Sequence, residues 1–245
     1  RPTRRFVDGP LTSPFMWKII LLVSLVPPIA VVVMRTWFCD RALRKLRYAM
    51  TNQSGEKLAE HLLRHFKLSE VVELKMKKRS RFVPGEPAVL ALSESAWRGK
   101  DVLSLGEVAN LVGRAAMERD HADLWGWRDW AVRFGVAFPA FTVMVVVFAV
   151  AVAKLSAFVG IVIVVAAFAL ASVLLLATLP VELEAAKQAA AFVERTNALP
   201  RRADGEEVAR CCRALAWRKI VPGSLEWVLG KPGRSERNSL EDSKQ

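Results

Sequence analysis

His61 and His65 stand at i, i+4 in the run EKLAEHLLRHF, where Leu58, Leu62, Leu63 and Phe66 fall on one helical face. That spacing puts two imidazoles on one side of a helix, where they could share a metal ion. Nothing else in the stretch completes a ligand set, and the pair reads as solvated or facing headgroups. The third histidine, His121, closes Met117-Glu118-Arg119-Asp120-His121. This has the outline of the helix-borne zinc motif H-E-x-x-H, with methionine, a poor zinc partner, in the first place. The cysteines are Cys39, Cys211 and Cys212. An odd count with one vicinal pair and no C-x-x-C is not a disulfide framework, and it fits a reducing compartment. Cys211-Cys212 reads as small apolar packing on a helix, ahead of palmitoylation or metal binding.

The elements that must position these groups are largely membrane helices. Residues 134–179 hold two apolar runs, FGVAFPAFTVMVVVFAVAVA and AFVGIVIVVAAFALASVLLLATL, parted only by Lys154-Leu155-Ser156. Each exceeds the roughly 20 apolar residues that cross about 30 Å of hydrocarbon. Backbone polar groups must be paired in lipid, so the runs predict a helical hairpin. Met16–Met34 is a third run of span length, with Pro27-Pro28 in its middle and Arg35, Arg41, Arg44, Lys45 and Arg47 after it. It reads as an anchor with a kink at the prolines rather than a signal peptide. Fifty-three per cent hydrophobic residues and a mean hydropathy of +0.24 agree. Trp17, Trp37, Trp125, Trp127 and Trp130 lie near the span ends and read as an interfacial belt.

Three spans put residues 35–133 and 180–245 on one membrane face. The first segment holds 19 Lys and Arg against 13 acids and the second 12 against 10, whereas the hairpin turn has only Lys154. The basic face is therefore expected in the cytoplasm, or in the matrix or stroma of an organelle. The net charge of +12 then points to topology and anionic headgroups. Basic runs without interleaved aromatics, a zinc knuckle or an arginine-rich arm argue against nucleic acid. The opening RPTRR is too short to identify a transit peptide.

Between the spans, Asp40–Met50 predicts a basic juxtamembrane helix, and Ser54 caps the helix carrying the histidine pair. Glu70–Met76 and Ala88–Ser93 predict two strands, with a charged bend at Lys77–Arg81 and a turn at Pro84-Gly85-Glu86-Pro87. A long helix is expected from about Val102 to His121. Beyond the hairpin, a helix runs from Val181 to about Thr196. A loop at Arg201–Gly205 and a helix at Glu206–Lys219 follow. The organisation is thus an N-terminal arm (1–15), a first span (16–34), an α/β domain (35–133), the hairpin (134–179), a helical region (180–221) and a flexible tail (222–245). The fold class is mainly α, a membrane protein with three transmembrane helices and a small α/β element and helical tail on one side.

Four segments resemble the YugP-like family of neutral zinc metallopeptidases of bacterial membranes. SGEKLAEHLLRHFKL is similar to its first domain helix, and AVLALSE to the strand before its active-site helix. LGEVANLVGRA (105–115) falls where the family carries an apolar lead-in and H-E-x-G-H-A. TLPVELEAAKQA, from Thr178, resembles its T-L-P-V-E-x-x-A-S-x-x-A block after the membrane hairpin. Together they span roughly Phe15–Thr196. The resemblance implies a zinc site with two helix-borne histidines, a glutamate that activates water, and a third ligand at Glu182.

The reactive positions depart from that pattern. The two histidines fall on Asn110 and Arg114, and the glutamate on Leu111; only Gly113 and Ala115 agree. A guanidinium has no lone pair to offer zinc, and leucine cannot be a base. His121 and Glu182 remain weak metal candidates. A buried Glu182 without a cation needs another partner, and Arg114 is expected to pair with it. The reading is a pseudoenzyme without cofactor: a non-catalytic integral membrane subunit on a disabled peptidase scaffold. It would be an accessory or structural part of an energy-converting assembly in an organelle inner membrane, mitochondrial or plastid. Its partners would be other membrane subunits and lipids, not nucleic acid. The alternative is a bacterial-type plasma-membrane zinc metallopeptidase, or a regulator of one.

Overall fold

The computed structural model describes residues 14–46, 50–196 and 199–221. The arm before Pro14 and the tail from Pro222, expected to be flexible, lie outside them.

Among the described residues, three helices are long and apolar enough to cross a membrane. The first, α1 (Pro14–Arg35), continues without a break through Pro27 and Pro28. The departure from α geometry comes beyond the prolines, in a π-helical turn at Thr36–Asp40. There Arg35, 1% exposed, lies 4.0 Å from Asp40. The hairpin is α6 (Ala122–Ala151) and α7 (Ala157–Arg195). Both helices outrun the apolar segments: α6 begins well before Phe134, and α7 passes Pro180 into the polar region. Large apolar side chains such as Leu22, Phe141 and Phe148 are 60–66% exposed on these helices. In water that would be an aggregation surface; in a bilayer it faces lipid. The helix–helix seam uses small residues: Gly160, Ala167, Ala171 and Ser172 are buried. The seam hydroxyls stay paired within their own helices, as in Ser172 Oγ to the Phe168 carbonyl at 2.7 Å and Thr178 Oγ1 to the Leu175 carbonyl at 2.7 Å.

The expected juxtamembrane helix is shorter than the sequence suggests. It is α2 (Arg41–Lys45), and Leu46 is already extended. The backbone near Met50 is claimed elsewhere: Met50 bridges Asp101, and Thr51 N–H donates to the Lys100 carbonyl at 2.8 Å. Helix α3 (Gly55–His65) starts at Ser54, whose hydroxyl accepts from Lys57 N–H, and buries Leu58, Leu62 and Leu63. A Cβ on Gly55 would stand 1.9 Å from the Ala96 carbonyl oxygen, so only glycine allows this approach.

The sheet has three strands rather than the expected two. Strand β1 (Val72–Met76) runs parallel to β3 (Ala88–Leu92), with Val72 opposite Ala88. Strand β2 (Arg81–Val83) pairs antiparallel with β3, Arg81 opposite Ala91, giving the order β1-β3-β2. The charged bend is thus the entry to an edge strand, and the Pro-Gly-Glu-Pro turn joins it to β3. After the short α4 (Glu94–Trp97) comes α5 (Val102–Asp120), capped by Asp101, which accepts from Ser104 N–H at 3.2 Å and Ser104 Oγ at 2.7 Å. From Ser104 to Met117 nearly every residue of α5 is buried, because α3 and the sheet cover one side and α7 and the helix that follows it the other. Helix α8 (Arg202–Ala216) starts earlier than expected: the segment read as a loop at Arg201–Gly205 is its first turn, with Gly205 buried. It ends in a 3-10 turn at Trp217–Ile220. Ile220 and Val221 pack with Val31 of α1 and Leu179 of α7, tying the polar part to the membrane helices.

Candidate functional site

Helices α5, α6 and α7 meet at one carboxylate. Glu182, one residue past the helix-borne pair Pro180-Val181, is 1% exposed. Its placement follows from packing. A Cβ on Gly113 would lie 2.4 Å from the Ala185 carbonyl oxygen and 3.0 Å from Ala189 Cβ, so the backbones of α5 and α7 come into close approach at this glycine. The next residue on α5, Arg114, then lies against the preceding turn of α7. Its Nε donates to Glu182 Oε2 at 2.9 Å, and its Nη2 is 2.8 Å from the same oxygen. The other oxygen belongs to Arg128 of α6. Arg128 Nε donates to Oε1 at 2.7 Å, and its Nη2 is also paired with Oε1. Both guanidiniums are buried, at 6% and 8% exposure.

Arg128 is itself held in place. Its guanidinium carbon lies 4.7 Å from the centre of the Trp125 ring, and Asp129 Oδ1 is 3.7 Å from its Nη1. Trp125 packs in turn against Met117, Val181 and Ala185. This corrects the belt reading for one ring: Trp125 is 5% exposed, an internal wall rather than an interfacial residue. Trp37, Trp127 and Trp130 are exposed and Trp17 half-buried.

The electrostatics are those of an over-balanced ion cluster. Burial pulls the Arg114 guanidinium below its ordinary value, Glu182 pushes back, and the charge of Arg128 adds to the lowering. An arginine nevertheless stays protonated at any physiological pH. Two fixed positive charges therefore share one internal carboxylate, with Asp129 contributing at the margin, where it also binds Arg133 at 2.6 Å.

The other motif positions make other contacts. The Asn110 amide donates to the Cys212 carbonyl of α8 at 3.4 Å, and Leu111 is part of the main apolar core. Cys39, Cys211 and Cys212 are all fully buried. Burial pushes Cys212 up to about 12, and it pushes Cys211 well above the usual thiol range. His61 and His65 are exposed on α3, with their rings 5.6 and 3.9 Å from that of Phe192 on α7. His121 is exposed at the junction of α5 and α6, and Asp120 beside it is paired with Arg119 at 2.7 Å.

Tested against zinc, this donor set does not fit. The positions that would supply two imidazoles hold an amide bonded to the backbone and a cation. The one carboxylate has both oxygens occupied by guanidinium groups. Among the described residues, no group of three or more His, Cys, Asp or Glu side chains is gathered as a metal set. Sequence reasoning missed Arg128. The signal was present: an arginine three residues after a tryptophan, on the same face of a helix about to enter the membrane, cannot remain solvated if that face is internal.

The model of a family described as putative neutral zinc metallopeptidase matches residues 19–221. No curated protein and no solved structure matches the chain.

Proposed function

The chain belongs to that zinc metallopeptidase family, and from this premise we propose that it is a non-catalytic member, a membrane scaffold whose former metal site has become an internal ion cluster. The observation that carries the reading is the state of Glu182. Both its oxygens are taken by buried arginines of two different helices, in a place where a zinc ligand would need a free lone pair. What the arrangement does chemically is hold helices together. Arg114 ties α5 to the exit of the third span, and Arg128 ties the start of the second span to the same point.

On this reading the protein is an integral membrane subunit that works through its surfaces. The basic face formed by 35–133 and 180–221 meets anionic headgroups or acidic neighbours. The apolar helices meet lipid and partner spans. An accessory role in an energy-converting assembly of an organelle inner membrane is the setting we propose; the one-sided basic charge supports the orientation alone.

The test is metal analysis of the purified, detergent-solubilised protein after exposure to zinc and dialysis. It should carry no stoichiometric zinc and cleave no casein. About one equivalent of tightly held zinc would overturn the reading. The same preparation, extracted in mild detergent and run on a native gel, should migrate well above its 27.2 kDa. Migration at its own mass would remove the assembly part of the proposal.

A further inference from the structure

Arg114 occupies a motif position, and its effect on a metal could be read from the motif alone. Arg128 could not. It comes from a different helix, outside the stretch that carries the motif, and it takes the carboxylate oxygen that Arg114 leaves. We propose that Arg128 is a second, independent determinant of cation exclusion: it and Arg114 together supply the two positive charges of a divalent ion, and restoring imidazoles at positions 110 and 114 would not by itself reopen the site.

Geometry supports this in three ways. First, Arg128 is 8% exposed and its guanidinium lies over Trp125, a ring that is itself packed between α5 and α7. The side chain is therefore not a surface group that swings away when a competing cation arrives. Second, removing Arg114 does not leave Glu182 without a cation, because Oε1 keeps the Nε and Nη2 donors of Arg128. Zinc would have to take its third ligand from a carboxylate whose charge already balances a buried guanidinium. Third, a guanidinium within hydrogen-bond reach of a metal's own ligand stands only a few ångströms from the ion, where like charges in a dry site repel strongly.

The inference rests on the non-catalytic reading above, yet it fails separately from it. Two variants are compared, Asn110→His/Arg114→His and Asn110→His/Arg114→His/Arg128→Met, both in detergent, with folding followed by circular dichroism and gel filtration. Zinc affinity is measured by equilibrium dialysis, and cobalt(II) absorption in the visible reports the coordination geometry. The variant lacking Arg128 should bind about one equivalent at least about a hundredfold more tightly than the variant that keeps it. Equal affinity in the two, or no binding by either, overturns the proposal. Zinc on the wild-type protein would instead strike the non-catalytic reading. Should these variants not fold, Arg114→His and Arg114→His/Arg128→Met preserve the Asn110–Cys212 bond and permit the same comparison with the same deciding outcomes.

Discussion

At the scale of single residues, the three members of the ion cluster are not equivalent. Among the described residues Glu182 is the anion that both arginines share, so its loss leaves two buried positive charges close together, with Asp129 at the margin of Arg128. Breaking a buried pair by removing one partner costs about 3–5 kcal/mol. Glu182→Gln should fall at or above the top of that range, because it takes the shared carboxylate from two cations at once. Arg114→Met should cost less, since Arg128 still satisfies one oxygen and the methionine fills volume among apolar neighbours. Thermal unfolding in detergent, followed by exposure of the buried thiols to a maleimide dye, orders the three: Glu182→Gln lowest, Arg114→Met and Arg128→Met higher. If Glu182→Gln were the mildest, the carboxylate would not be the hub of the cluster. The thiols suit this readout because burial holds them neutral and unreactive until the fold opens.

At the scale of elements, the cluster exists because helices approach closely at small residues. Gly113 is the clearest case, since its missing side chain lets α5 sit against the Ala185 backbone. Gly113→Ala would drive a methyl to 2.4 Å from that carbonyl oxygen, and backbone cannot turn aside as a side chain can. Overpacking of this kind typically costs about 1–3 kcal/mol. Here it should also loosen Arg114 from Glu182, so that Gly113→Ala and Arg114→Met combined cost less than the sum of the two. Additive effects in that double-mutant cycle would mean that α5 and α7 settle back without disturbing the pair. The same scale shows what a sequence makes legible. The apolar runs and the long α5 announce themselves by length and period. Strand β2 does not, because three residues, Arg81–Val83, are too few to show alternation inside a charged bend. Trp125 and Arg128 were hidden for another reason: aromatics just before an apolar run have two physical explanations, a belt in headgroups or an internal wall. Only the face of α6 that meets Met117 and Val181 decides between them. The contact of Arg114 with Glu182 joins positions 68 apart. It could be expected only because a resemblance to a metal site placed both residues around one cavity.

At the scale of the whole molecule, the ion cluster sits where the membrane hairpin joins the polar helices, so its meaning depends on how the chain crosses the bilayer. The apolar stretch of α6 runs on from Phe134 and that of α7 ends near Leu179, and between them lies a turn with Lys154 at φ 55°. If both stretches cross, Lys154 is on the face opposite the sheet and α8. The sheet side carries Lys75 on β1 and Lys187 on α7, both about half-exposed or more. The native cysteines are fully buried and silent towards polar reagents. Single substitutions Lys154→Cys, Lys75→Cys and Lys187→Cys can therefore report topology in sealed vesicles treated with a membrane-impermeant maleimide. Lys75→Cys and Lys187→Cys should label from one side and Lys154→Cys only from the other, or only after the vesicles are opened. The positive-inside bias places the first two in the compartment that holds the greater basic charge. Should all three label from the same side, the hairpin would not traverse the bilayer. The Glu182 cluster would then lie at the base of a helical pair that enters the membrane without crossing it, and the exposed apolar faces of α6 and α7 would have to be covered by protein instead of lipid.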